Sequence, residues 1–162
     1  MLRILGYLVL LALLGYGMWP YYSLFQLDDA VREADPQAIA PFVDLPAIQA
    51  SYATRLAPGL PVFEPRDAPG ADQVIVWLNT NLPRLGDAAI EQAITLEWVR
   101  DTLREAAERT TESRPALLID GVDFAFFESW NRFVVRIGPL GADAHLVLGL
   151  DWPQWRVVDL VR

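Results

Sequence analysis

The chain has 162 residues, 53% hydrophobic and 21% charged, which suits one packed domain and excludes a disordered one. Its 21 acidic residues outweigh 13 basic ones, so the basic footprint that nucleic acids require is missing and no nucleic-acid partner is expected. With no Cys and a single His, disulfide frameworks, thiolate metal sites, cysteine nucleophiles and His-rich metal motifs are excluded, and no cofactor or metal is expected.

From Leu2 to Trp19 the sequence is apolar apart from Arg3, and no further charge occurs before Asp28. As a helix this run is about 27 Å long, close to a ~30 Å hydrocarbon core. Two readings stay open. A cleavable signal peptide would use Ile4–Leu14 as its apolar centre and Gly15-Tyr16-Gly17 as its cut site. An uncleaved anchor would place Trp19, Tyr21 and Tyr22 at the outer interface, with Arg3 at the inner one. By the positive-inside rule, Arg3 and the amino group stay in the cytoplasm and the rest crosses the membrane. Residues 1–20 are therefore expected to be an anchor or signal peptide, and residues 21–162 a single exported domain.

Pro20 has no N–H to donate and is expected to break or kink the apolar helix. Beyond it Leu24, Leu27, Val31 and Ala34 recur at helical spacing between charges. Asp35-Pro36 has the form of a cap and first residue for a short helix burying Ile39, Phe42 and Val43. Asp44 repeats the device for a helix burying Leu45, Ile48, Tyr52 and Leu56. Residues 57–72, with four prolines and two glycines, read as a surface loop. "DQVIVWLNTNL" is a helix or strand with Val74, Trp77, Leu78 and Asn81 on one face. Asp87 opens another short helix. Thr95 then caps "LEWVRDTLREAAER", with Leu96, Val99, Leu103 and Ala107 inward, Glu97 in the first turn and Arg109 in the last.

After Pro115 the period becomes two. "ALLIDG" is a short apolar run ended by a turn. "WNRFVVRI", "AHLVLGLD" and "WRVVDLVR" predict three strands joined by short turns, an antiparallel meander. Helices that precede strands indicate an α+β fold, helices packed on one face of a curved antiparallel sheet.

"YYSLFQLDDAVREADPQAIAPFVDLPAI" resembles the pattern of the family catalogued as domain of unknown function 2939, through Tyr21, Leu24, Leu27, Ala30, Asp35, Val43, Asp44 and Pro46. "ESWNRFVVRI" with "LVLGLDWPQWRVVDLV" carries a second likeness at Phe133, Val135, Leu148, Trp155, Val158 and Asp159. In "ITLEWV", Thr95 and Glu97 match the family's corner, while Leu96 and Trp98 stand where Pro and Gly are expected. Residues 57–85 do not match. The resemblance implies a bacterial, membrane-anchored, envelope-facing domain of unknown function. More loosely, the order of elements is similar to nuclear-transport-factor-2-like or cystatin-like folds, scaffolds that do not fix a function.

Candidate sites are few. Arg132 and Arg136 share a strand face and Arg156 falls on a neighbouring strand; with Trp130 they are the candidates for an anionic ligand, against a solvated face with acidic partners. Asp44, Asp123, Glu128 and Asp159 lie nearest apolar sequence, with caps and turn solvation as the alternatives. His145 begins a strand and is expected as a surface or edge histidine, with a general base as the alternative. Trp77, Trp98 and Trp155 are expected inside, and Trp130 and Trp152 are candidates to line a pocket. No catalytic constellation emerges. The expected protein is a non-enzymatic binding or assembly domain in the bacterial inner membrane, single-pass through residues 2–19, with its domain in the periplasm and an envelope protein or a second copy as partner. The alternative is a small-ligand binder or pocket enzyme, which requires an open sheet face.

Overall fold

The structure, a computed structural model, describes residues 2–55, 73–74, 77–78, 87–110, 116–138 and 144–161. It is α+β: a long apolar helix, further helices, then a four-stranded antiparallel sheet. The helices are α1 (Leu2–Arg32), α2 (Leu45–Arg55), α3 (Asp87–Ala93) and α4 (Leu96–Thr110). The strands are β1 (Val122–Ser129), β2 (Arg132–Ile137), β3 (Ala144–Asp151) and β4 (Gln154–Val161), in the order β1-β2-β3-β4.

Of the two outcomes expected at Pro20, a break or a kink, the break is corrected. Helix α1 runs through it without interruption, and Pro20 itself is buried. An interior proline costs a helix roughly 3 kcal/mol. Here the turns on both sides are held: Tyr16 and Trp19 pack on the core before it, and Leu24 and Leu27 lie inside the core after it. Each fully buried leucine contributes roughly 1.5–3 kcal/mol, so tertiary packing outweighs the local defect. The helix ends at Arg32, which leaves Ala34 exposed in a bend rather than on the buried face; Ala30 is buried instead.

The two Asp-led corners form as expected. Asp35 caps a 3-10 helix, Pro36–Phe42, through the Gln37 N–H at 2.9 Å. Asp44 accepts the Ala47 N–H at 3.0 Å and starts α2, which buries Ile48 and Tyr52. The expected loop at 57–72, Leu56 and Asn81 lie outside the described residues. Leu78 is fully buried, whereas Trp77 is 40% exposed, against expectation. Thr95 caps α4 through the Trp98 N–H at 3.2 Å, and Val99, Leu103 and Ala107 are buried.

One strand went unrecognised in the sequence. "VDFAFFES" forms β1, the edge of the sheet, paired only with β2 among the described residues. Its side chains do not alternate cleanly because the register shifts between Val122 and Phe124, and again between Phe127 and Ser129. Phe124 and Phe126 stand opposite Arg136 and Val134 on the outer face, while Phe127 stands opposite Phe133 on the inner one. The β4 edge is covered differently. Val43 bridges Val157, the Asp44 N–H donates to the Val157 carbonyl at 2.8 Å, and α2 reaches over from there.

The inner face carries the core. Phe133, Val135, Ile137, Leu146, Leu148, Trp155, Val157 and Leu160 join one apolar cluster with α1, α2 and α4. At one end of the sheet Gly138, at φ 92°, donates to the Gly121 carbonyl at 2.8 Å; only glycine adopts that backbone without strain. At the other end lie the β1–β2 turn, with Trp130 and Asn131, and the β3–β4 turn, with Trp152 and Pro153. Helix α1 lies across the inner face between these ends, since Tyr16 meets the Trp130 turn and Asp28 meets Leu118.

Candidate functional site

The antiparallel meander brings the β1–β2 and β3–β4 turns to the same end, and the Leu150 N–H to Asn131 carbonyl bond (2.9 Å) ties them together. The apolar helix is fastened to both. The Tyr16 hydroxyl donates to the Trp130 carbonyl. The Tyr16 ring stacks on Phe127 at 5.8 Å and meets the edge of Trp155 at 6.3 Å. Trp19 meets Trp152 edge-on at 5.3 Å, and Tyr21 meets Phe133 at 5.0 Å. Such aromatic contacts contribute about 0.5–1.5 kcal/mol each beyond the area they bury. The two turn tryptophans remain open on their other sides: Trp130 and Trp152 are each 73% exposed. Each projects from a turn.

The register decides what the three arginines can do together. Arg132 and Arg156 both stand opposite Gly149, one on each side, near the turn end of the outer face. Gly149 leaves no room for more: a Cβ there would lie 2.8 Å from the Val158 Cγ1. Arg136 is four residues further along β2, roughly 13 Å away. Each guanidinium also has its own carboxylate. Arg132 pairs with Glu128, Arg136 with Asp123, and Arg156 with Asp151 at 3.4 Å. Arg136 lies over the Phe124 ring at 5.9 Å as well. The structure therefore brings Trp130, Arg132 and Arg156 to one end of the sheet and leaves Arg136 at the other.

The carboxylate candidates have partners within the fold. Asp44 is a cap, and Asp123 and Glu128 are the partners of Arg136 and Arg132. Asp159 is buried against α2, accepting from the Ser51 hydroxyl at 2.6 Å and pairing with Arg55. His145 stands opposite Arg136 and Val161 in the register. Among the described residues no three His, Cys, Asp or Glu side chains converge to hold a metal ion. The inner sheet face, where a ligand cavity would have to open, is filled: Phe133, Val135, Leu148 and Trp155 are each at most 1% exposed.

Two positions were not singled out from the sequence. Tyr16 belongs to the apolar run, but it sits three residues before Trp19 and so on the same side of the helix, a spacing that could have revealed a shared contact. Asp28 is 2% exposed, on the buried face of α1, and accepts the Leu118 N–H. Burial pushes its carboxyl above the usual range, opposed by that hydrogen bond and by Arg32 at 3.8 Å.

Residues 9–102 match the family described as protein of unknown function (DUF2939), more than half of the chain. The chain belongs to this family. The DUF2939 match takes in the second half of the apolar run, both Asp-led corners and the start of α4. It also crosses residues 57–85, where no likeness was expected, and ends before the sheet, which carried the second expected likeness. No curated protein and no solved structure matches the chain. Among the described residues it has one helix, Arg3–Arg32 within α1, long and apolar enough to cross a membrane.

Proposed function

We propose that this DUF2939 protein is a single-pass protein of the bacterial inner membrane, with its amino-terminal end in the cytoplasm and its α+β domain in the periplasm, where it serves as a non-enzymatic binding or assembly module. The continuity of α1 carries the reading. Its first half is apolar and exposed, and its second half is built into the domain core. Cleavage at Gly15-Tyr16-Gly17 would remove or free Tyr16, whose ring and hydroxyl reach Phe127, Trp155 and Trp130. That supports an uncleaved anchor over a signal peptide. Arg3 as the one charge at the start of the run supports the orientation. The filled sheet face supports binding through the surface rather than chemistry in a pocket.

The test is amino-terminal sequencing of the membrane-fraction protein, joined to a carboxy-terminal reporter that is active only after export. An intact start and an active reporter are expected. A start near Met18 overturns the anchor, and an inactive reporter overturns the orientation. For the assembly role, cross-linking in intact membranes is expected to give one discrete adduct, either with an envelope protein or with a second copy. Monomer alone at every cross-linker length overturns that role.

A further inference from the structure

We propose that the turns carrying Trp130 and Trp152 are seated in the headgroup zone of the bilayer, so that the sheet stands end-on on the membrane beside the helix that crosses it. This rests on the membrane-spanning reading of α1 and adds a second point of contact to it. The first observation is one of length. Only residues 3–15 of α1 are exposed along their whole run, about 20 Å of helix, well short of a ~30 Å hydrocarbon core. A span must therefore take in the following turn, Tyr16–Trp19, which is where the two sheet turns are fastened. The helix cannot reach across the bilayer without carrying those turns down to its surface.

The second observation is the chemistry found at that depth. Trp130 and Trp152 are 73% exposed at the end of the apolar run, Trp152 against Trp19 and the Trp130 carbonyl against Tyr16. Indole has an apolar ring and one N–H donor, and it favours the boundary between acyl chains and headgroups. Arg132 and Arg156 lie behind these turns, with side chains partly exposed at 46% and 35%. Their length allows the guanidinium to reach phosphate while the stem stays among apolar atoms. At the opposite end, where Gly121 and Gly138 meet, Asp120, Asp123 and Phe124 are exposed among the described residues, and no tryptophan stands there among them. What sets the turn end apart is its two exposed tryptophans, beside the pairs Arg132–Glu128 and Arg156–Asp151.

Because the chain has no cysteine, a single introduced one takes a nitroxide label uniquely. Full-length Leu11→Cys, Asn131→Cys, Gln154→Cys and Asp120→Cys, each labelled and reconstituted in phosphatidylcholine–phosphatidylglycerol vesicles, are compared by collision with oxygen and with a water-soluble nickel chelate. Oxygen concentrates in the bilayer and the chelate in water. The expected result is a high oxygen-to-nickel ratio at Leu11, a ratio several-fold above that of Asp120 at Asn131 and Gln154, and a low one at Asp120. A deep Leu11 with watery Asn131 and Gln154 overturns the seating and leaves the anchor standing. A watery Leu11 overturns the anchor itself, and the seating with it. Protection of the turns from both reagents means burial in protein and overturns the lipid contact in favour of a second copy.

Discussion

The two halves of α1 are one helix and one stretch of apolar sequence, yet they do opposite things. Residues 3–15 bury nothing, whereas Leu24, Leu27, Ala30 and Val31 are inside the core. Hydrophobicity alone does not separate them. Spacing does: before Pro20 the apolar residues surround the helix, and after it they form a stripe with charges between. An all-round apolar helix needs an apolar surrounding, which this domain does not supply to its first half. A striped helix needs one partner face, which the sheet supplies to the second.

The contrast breaks most sharply under paired truncation. Leu27→Ala removes a fully buried side chain and is expected to cost about 2–5 kcal/mol of domain stability. Leu11→Ala, in the exposed half, is expected to leave the domain's unfolding unchanged in detergent. Denaturant unfolding followed by tryptophan fluorescence reads both. Equal losses would mean that the first half packs on the domain and is not free to meet lipid.

Asp28 sharpens the second half of the comparison. It is the one charge on the buried stripe, and its carboxylate holds the Leu118 N–H where the chain enters the sheet. Asp28→Leu leaves that donor unmatched and is expected to cost about 1–3 kcal/mol. Asp28→Asn keeps an acceptor and removes the buried charge, so it is expected to stay within about 1 kcal/mol of the wild type. The pH dependence has a definite sign. A folded-state carboxyl raised by burial contributes its stability below the unfolded value, and that contribution is lost as pH rises through the folded value. The wild type is therefore expected to gain on Asp28→Asn as the pH is lowered from neutrality into the acidic range. Thermal melts across that range check it, and a constant difference would refute the assignment. Arg55→Gln tests the matching ion pair on the other side of the core. It takes one partner from the buried Asp159, which keeps Ser51 among the described residues, and is expected to cost about 1–3 kcal/mol.

The elements most readable from the sequence were those whose signal is local. Asp35, Asp44 and Thr95 cap helices because a side-chain oxygen reaches an N–H two or three residues away, and no tertiary contact is needed to see it. Strands β2, β3 and β4 alternate, and their periodicity was visible for the same reason. Strand β1 was not, because its two register shifts disturb the period and an edge strand with three phenylalanines resembles neither template. Pro20 misled because a local rule met a tertiary override. As for the candidate site, the sequence named Trp130, Arg132 and Arg156 as candidates for an anionic ligand without showing that they meet. What unites them is a shared end of the sheet, which depends on strand order and register and on the contact of Trp19 with Trp152, information that spacing along the chain does not contain.

The smallest expected effect is at that end. Arg132 pairs with Glu128, and both side chains are about half exposed. A pair in such a setting contributes about 0–1 kcal/mol, since water screens the attraction and fixing two long side chains costs entropy. Arg132→Gln is therefore expected to leave unfolding in detergent almost unchanged, well below the effect of Arg55→Gln, whose partner is buried. On the proposed seating, the same substitution is expected to lower the midpoint of thermal unfolding slightly more in vesicles containing phosphatidylglycerol than in neutral vesicles, because Arg132 would then face anionic headgroups. That difference measures the part of Arg132 that acts on the bilayer, with the part that acts on Glu128 subtracted. Identical losses in both vesicle types would place Arg132 in water, away from the headgroups proposed to seat Trp130 and Trp152.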